Sequence, residues 1–258
     1  MFDSHVHLDD PAFDADRDAV LQRAREAGVR GCVTVGSDVA SSRTAVALAE
    51  RYPDVYAAVA IHPHQAGDAG PDALAHLRAL LAHPRVVAVG ETGLDYARNE
   101  VPRDVQREAF VAHLRLSRET RRPVIVHCRA AWDDVCALLA RERPPGVVLH
   151  AFSGSPELAA DAARRGYMVS LAGPVTFPTA RVPVEVVRVV PLEMLLVETD
   201  SPVLAPQPWR GRRNEPAFLE AVVRRIAEIR GMDPAEVARI TTDNARRVFG
   251  LPADGEGR

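Results

Sequence analysis

Short apolar runs rich in valine alternate along this chain with longer segments whose apolar positions recur every three to four residues. The first pattern predicts strands buried on both faces, the second amphipathic helices. Strands are predicted near Phe2–Leu8, Cys32–Val35, Val55–Ile61, Val86–Val89, Val124–Val126, Val147–Leu149, Tyr167–Ser170 and Met194–Val197. Helices are predicted near Pro11–Ala27, Ser42–Arg51, Pro71–Leu81, Val101–Thr120, Ala131–Arg141, Pro156–Arg165, Glu215–Arg230 and Pro234–Val248, with a short proline-punctuated piece around Val184–Val190. Ser41 or Ser42 is the expected N-cap of the second helix, and Asp233 that of the last.

Such strict alternation across 258 residues is the expectation for a (β/α)8 TIM-like barrel, read here as one domain over residues 1–258. No linker, composition break or short repeat divides the chain. The alternative is an open doubly wound sheet, but no glycine-rich phosphate loop opens any helix.

In such barrels catalytic groups sit where strands end and the following loops begin. The first strand ends at His5-Val6-His7, whose two imidazoles project from one face. Later strands end at His62-Pro63-His64, at Glu91, at His127, at His150 and at Asp200. A lone histidine after an apolar strand is more often packed than metal-bound. Repetition of the right residue type at one strand end after another, always the C-terminal one, points instead to a metal site. Four histidines and two acids exceed the needs of one tetrahedral zinc and suffice for two divalent ions, Zn, Mg or Mn, bridged by a carboxylate and a hydroxide.

Composition adds three constraints. The chain has no lysine, so all 32 basic residues are arginine, and a carbamylated lysine cannot bridge metals here; Glu91 occupies that place with its own carboxylate. The net charge of −3 disfavours a long duplex held by charge, though not a short anionic substrate drawn to metal. Three cysteines in no recognisable framework fit a reducing compartment, and no apolar run approaches a membrane span. Without a basic-then-apolar leader, and with candidate ligands on the first strand, the cytoplasm is the expected location.

The motifs Asp3-Ser4-His5-Val6-His7-Leu8, Gly90-Glu91-Thr92-Gly93-Leu94-Asp95-Tyr96, Pro123-Val124-Ile125-Val126-His127-Cys128-Arg129-Ala130, His150-Ala151-Phe152-Ser153-Gly154, Glu198-Thr199-Asp200-Ser201-Pro202, Asn214-Glu215-Pro216 and Asn244-Ala245-Arg246-Arg247-Val248-Phe249 together resemble the TatD family of metal-dependent hydrolases, within the amidohydrolase-like barrels. The resemblance implies a barrel with two divalent ions, in some members three. It implies His5, His7, Glu91 and Asp200 on one ion, and Glu91, His127 and His150 on the other. It implies DNase activity, often 3′–5′ on single strands, or deacylation of D-aminoacyl-tRNA. Thr92, Val203 and Trp209 depart from the commoner family residues, and the last two bear on substrate preference.

The expected chemistry has Asp200 as general base and His62 as donor to a phosphate oxygen or leaving group, although a packed strand-end histidine is an equal reading of His62. Glu198 either ligates an extra ion or orients a ligand. Arg129 is a candidate phosphate clamp, or else an ion-pair partner of a helix carboxylate. Trp209-Arg210-Gly211-Arg212-Arg213 reads as a contact for a single strand or tRNA end, or as an ordinary solvated loop. His64 reads as solvated loop, His76, His83 and His113 as surface residues, and Cys128 and Cys136 as core fillers. The expected substrate is a short or single-stranded DNA end, or an aminoacyl-tRNA end, met by a monomer that forms no stable nucleic-acid complex and touches no membrane. The competing readings are an ester or amide metallohydrolase with the same ligands and a non-catalytic metal-binding module.

Overall fold

A computed structural model describes residues 1–98 and 100–252. Its strands are β1 Phe2–Val6, β2 Gly31–Val35, β3 Val55–Val59, β4 Val86–Asp95, β5 Val124–Arg129, β6 Val147–Leu149, β7 Met168–Leu171 and β8 Leu195–Val197. They follow chain order in one eight-stranded sheet. Between and after them run α1 Arg17–Glu26, α2 Val39–Arg51, α3 Pro71–Leu81, α4 Arg103–Thr120, α5 Trp132–Glu142, α6 Pro156–Arg164, α7 Arg181–Val189, α8 Leu219–Arg230 and α9 Pro234–Phe249. This is the (β/α)8 order the hydrophobic pattern predicts. Among the described residues no helix is long and apolar enough to cross a membrane. The chain divides into two compact units, Met1–Val33 with Ala151–Arg258, and Thr34–His150.

In the first unit β7 and β8 pair in parallel from Val169↔Leu195 to Leu171↔Val197. The end of β1 meets the segment after β8 at the parallel bridge Val6↔Ser201. Two backbone bonds seal it, Asp200 N–H to His5 O at 2.9 Å and His7 N–H to Ser201 O at 2.9 Å. Val6, Leu8, Phe13, Leu195, Val222 and Ile226 fill the interior. Removing such side chains from water is the dominant stabilising term. Asn214 donates to Thr199 O at 2.8 Å and Val203 O at 2.7 Å, pinning the loop after β8. Its neighbour Glu215 takes both arms of Arg23, at 2.8 and 2.6 Å. The Asn-Glu-Pro motif is therefore an anchor for that loop.

In the second unit β3 through β6 pair in parallel. β4 runs on through Asp95, where the pattern predicts an end at Val89. Val89 lies opposite Val124 and Thr92 opposite Val126, so three steps on β4 span two on β5. Such a bulge re-aims a side chain, here in the stretch that holds Glu91. Gly93 allows the pairing to continue: a Cβ there would lie 2.0 Å from His127 O, and its φ is +148°. Three local expectations are corrected. The N-cap of α2 is Asp38, whose side chain accepts from Ser41 N–H at 2.6 Å, with Ser41 closing a capping box. Pro11–Phe13 forms a separate 3-10 turn ahead of α1. His113 is fully buried, not on the surface: its Nε2 accepts from Ile61 N–H at 3.1 Å and its Nδ1–H donates to Ala109 O at 2.7 Å.

Candidate metal centre

At the end of β1 the alternation of side chains does what the sequence predicts. His5 Nε2 and His7 Nε2 face each other at 3.2 Å. Both approach Asp200 Oδ1, at 3.7 Å from His5 and 3.6 Å from His7. Ligand atoms about 2.0–2.2 Å from one tetrahedral ion stand about 3.3–3.6 Å apart. The three atoms have the chemistry and nearly the spacing of a metal triad, and they fit a divalent cation.

Two features hold Asp200 there. Its backbone lies at φ +52°, a conformation that aspartate tolerates better than most residues. Next to it, Thr199 donates its N–H to Asp3 Oδ1 at 2.9 Å and its hydroxyl to Asp3 Oδ2 at 2.6 Å. Asp3 is a structural carboxylate the sequence reading missed, and burial pushes its pKa up to about 7 against those bonds. Glu198 accepts from Ala151 N–H at 2.7 Å and from the Ser170 hydroxyl at 2.6 Å. These are bonds an orienting carboxylate makes, and Glu198 also stands among groups able to hold a metal ion.

In the second unit Glu91 is the hub. Its Oε1 meets His127 Nδ1 at 2.7 Å, His150 Nε2 at 3.1 Å and His62 Nε2 at 3.6 Å. Burial raises the Glu91 pKa, but His150, His62 and His127 outweigh it and hold the carboxyl well below its ordinary range. It is thus an ionised oxygen donor among imidazoles, a set suited to a divalent ion. The other nitrogen of His127 faces Asp95 Oδ2 at 3.3 Å. That same oxygen meets His64 Nε2 at 2.9 Å. Burial raises the Asp95 pKa, yet His64 and the Ala97 and Arg98 amides bring it down to about 2. His64 is accordingly engaged with a carboxylate and is no solvated loop residue. Asp95 lies in a motif visible in the sequence, but nothing there placed it against His127.

His62 Nδ1 accepts the His64 N–H at 3.2 Å, which puts its ring proton on Nε2. That gives His62 a hydrogen-bond donor at Nε2, and His62, Glu91 and His127 also stand close enough together to hold a metal ion. Burial lowers its pKa, with Glu91 acting in the opposite direction, so the neutral donor form is favoured. The Arg129 side chain is exposed, and among the described residues it forms no ion pair. In the arginine-rich loop, Trp209 stacks on Phe218 at 4.1 Å and 5°. Arg213 is bound bidentately to Asp16 at 2.7 and 2.7 Å, and Arg210 lies over the Phe177 ring at 4.4 Å.

Residues 2–250 match the family described as TatD related DNase. The metal-dependent hydrolase YabD of Bacillus subtilis is 41% identical over 251 residues, covering 96% of this chain and 98% of the relative. The 3′-5′ ssDNA/RNA exonuclease TatD of Citrobacter rodentium is 38% identical over 258 residues, with 97% and 98% covered. The crystal structure of YjjV, a TatD homologue from Escherichia coli, is 32% identical with a TM-score of 0.93 over 98% of each chain. A histidine–carboxylate donor set on a (β/α)8 scaffold, matched along nearly the full length, makes this chain a member of the TatD-related DNase family and a metal-dependent hydrolase.

Proposed function

We propose that this hydrolase is a nuclease that removes nucleotides from the 3′ ends of single-stranded DNA or RNA. The observation carrying the reading is the convergence of His5, His7 and Asp200 on one point. It is supported by the exonuclease named above, similar over the whole chain.

His5, His7 and Asp200 would hold one divalent ion, and Glu91, His127 and His150 a second. When bound, such ions lower the pKa of water toward neutrality and offset charge on a phosphoryl oxygen. Asp200 takes the proton of the attacking water as general base. His62 donates its Nε2–H to a phosphate oxygen or to the leaving oxygen. Arg129 pairs with the phosphate through its planar fork. Asp95 and Glu198 orient the ligands. The family match runs as one segment over residues 2–250, which supports reading the chain as one domain over residues 1–258, of which 99 and 253–258 lie outside the described residues. Among the described residues Cys32, Cys128 and Cys136 form no disulfide, in keeping with a reducing, cytoplasmic setting. The aminoacyl-tRNA reading gains no support from these relatives.

The test is digestion of a single-stranded oligonucleotide labelled at its 5′ end, with Mg²⁺ or Mn²⁺. Stepwise shortening from the 3′ end, lost in EDTA and in Asp200→Asn, is the expected result. Intact oligonucleotide under every metal tried would remove the nuclease reading.

A further inference from the structure

A cavity of about 280 Å³ opens in the unit that carries His5, His7 and Asp200. Its wall includes Phe152, Leu171, Pro174, Val182, Pro183 and Leu204, and among the described residues no charged side chain lines it. The wall is drawn from three successive strand ends. Phe152 follows β6, Leu171 ends β7, and Leu204 stands four residues beyond Asp200.

The cavity is a built feature. A Cβ on Gly173 would lie 1.9 Å from Leu204 O, so glycine there lets the loop after β8 settle on the loop after β7. The Thr176 hydroxyl ties the two loops, donating to Gly173 O at 2.7 Å and accepting from Gln207 N–H at 2.9 Å. Leu204 is held at φ +53°, a conformation costly for a leucine. The large hydrophobic side chains exposed among the described residues are Val182, Val189, Val203 and Leu204, and two of these four line this cavity.

An apolar wall without charged groups suits the flat face of an aromatic ring. In a single strand that ring is the unstacked base, whose binding by stacking tolerates any base identity. The volume lies at the small end of ligand sites, enough for one ring system and too little for a base pair. Arg210, over the Phe177 ring two residues past the lining residue Val175, adds an exposed cation for the neighbouring phosphate.

We propose that this cavity holds the base of the 3′-terminal nucleotide of a single-stranded substrate. The assignment rests on the nuclease reading above. It makes the enzyme indifferent to base identity yet dependent on a base being present.

The test compares oligonucleotides whose 3′-terminal nucleotide is normal or abasic, using the metal-loaded full chain. The wild type is expected to show about a tenfold higher KM for the abasic end, with kcat little changed. Val182→Glu is expected to raise KM for the normal end by about tenfold and leave the abasic end unchanged, with an unaltered thermal melt. A terminal 2-aminopurine should be quenched on stopped-flow mixing with wild type and not with the variant, a readout independent of turnover. Equal KM for both ends, with cleavage intact, overturns the cavity assignment and leaves the nuclease reading standing. Absence of cleavage at either end overturns the nuclease reading itself, and the cavity assignment with it.

Discussion

Asp95 Oδ2 lies 3.3 Å from Nε2 of His127, the ring nitrogen opposite the one that meets Glu91 at 2.7 Å. A carboxylate behind an imidazole fixes which nitrogen carries the proton and raises the basicity of the other. An ion held by His127 Nδ1 would leave the ring proton on Nε2, where Asp95 accepts it. Asp95→Ala should therefore cost about 10–100-fold in metal affinity or activity. Asp95→Asn, which keeps one accepting oxygen, should fall between the variant and wild type. Metal titration followed by calorimetry checks this, and unchanged affinity in Asp95→Ala would show that the contact does not tune the site.

Gly93 predicts a different kind of failure. A methyl group there would collide with His127 O, in a backbone conformation that side chains rarely adopt. Gly93→Ala should lose about 3 kcal/mol of stability and, by displacing β5 from β4, lose activity as well. Urea unfolding with a parallel activity assay reads both; full stability would mean the strands shift without penalty.

These two residues show where sequence reading reached and where it stopped. His5, His7 and Asp200 were legible because strand alternation and the strand-end rule act locally. Glu91 was legible as a strand-end acid, although β4 continues past it. Asp95 was not legible, because the apolar run stops at Val89 and only pairing with β5 carries the strand onward. His64 was hidden for the same reason, since its partner is Asp95. His113 reads as a surface residue, although it sits one position from the buried Leu114 and three from Phe110 on α4. A polar residue on the apolar face of a helix reads as buried only once its partners, here Ile61 N–H and Ala109 O, are known.

His113 gives a pH prediction. Burial lowers its pKa from 6.5 to about 4, so the folded protein resists a proton that the unfolded chain accepts. Between those values the unfolded state binds more protons, and stability falls as pH falls. At pH 5 the loss is about 2 kcal/mol relative to pH 7, and it is complete below about 4. His113→Gln, which can still accept from Ile61 N–H, should unfold with a shallower acid dependence across this window. Denaturant midpoints at pH 7 and 5 for both proteins decide it; parallel curves would assign the acid sensitivity elsewhere.

Arg129 and Arg213 should separate binding from scaffolding. Arg213 is spent on Asp16, with Glu215 at 3.9 Å, whereas Arg129 is exposed and outside any ion pair among the described residues. Arg129→Ala should raise KM for an oligonucleotide by about threefold to tenfold, less at high salt, with no change in melting temperature. Arg213→Ala should lower stability by about 1 kcal/mol and leave KM nearly untouched. Salt-dependent kinetics and thermal melts distinguish the two, and a salt-independent KM in Arg129→Ala would take that residue off the substrate.

The nuclease proposal requires one divalent ion at His5, His7 and Asp200 and a second at Glu91, His127 and His150. Elemental analysis of purified, metal-loaded protein tests it most directly. Two ions per chain are expected in wild type. One is expected when His5 and His7 are both replaced by alanine, one in His150→Ala, and one in Glu91→Gln. A wild-type chain that binds a single ion, or a Glu91→Gln chain that retains two, would contradict it.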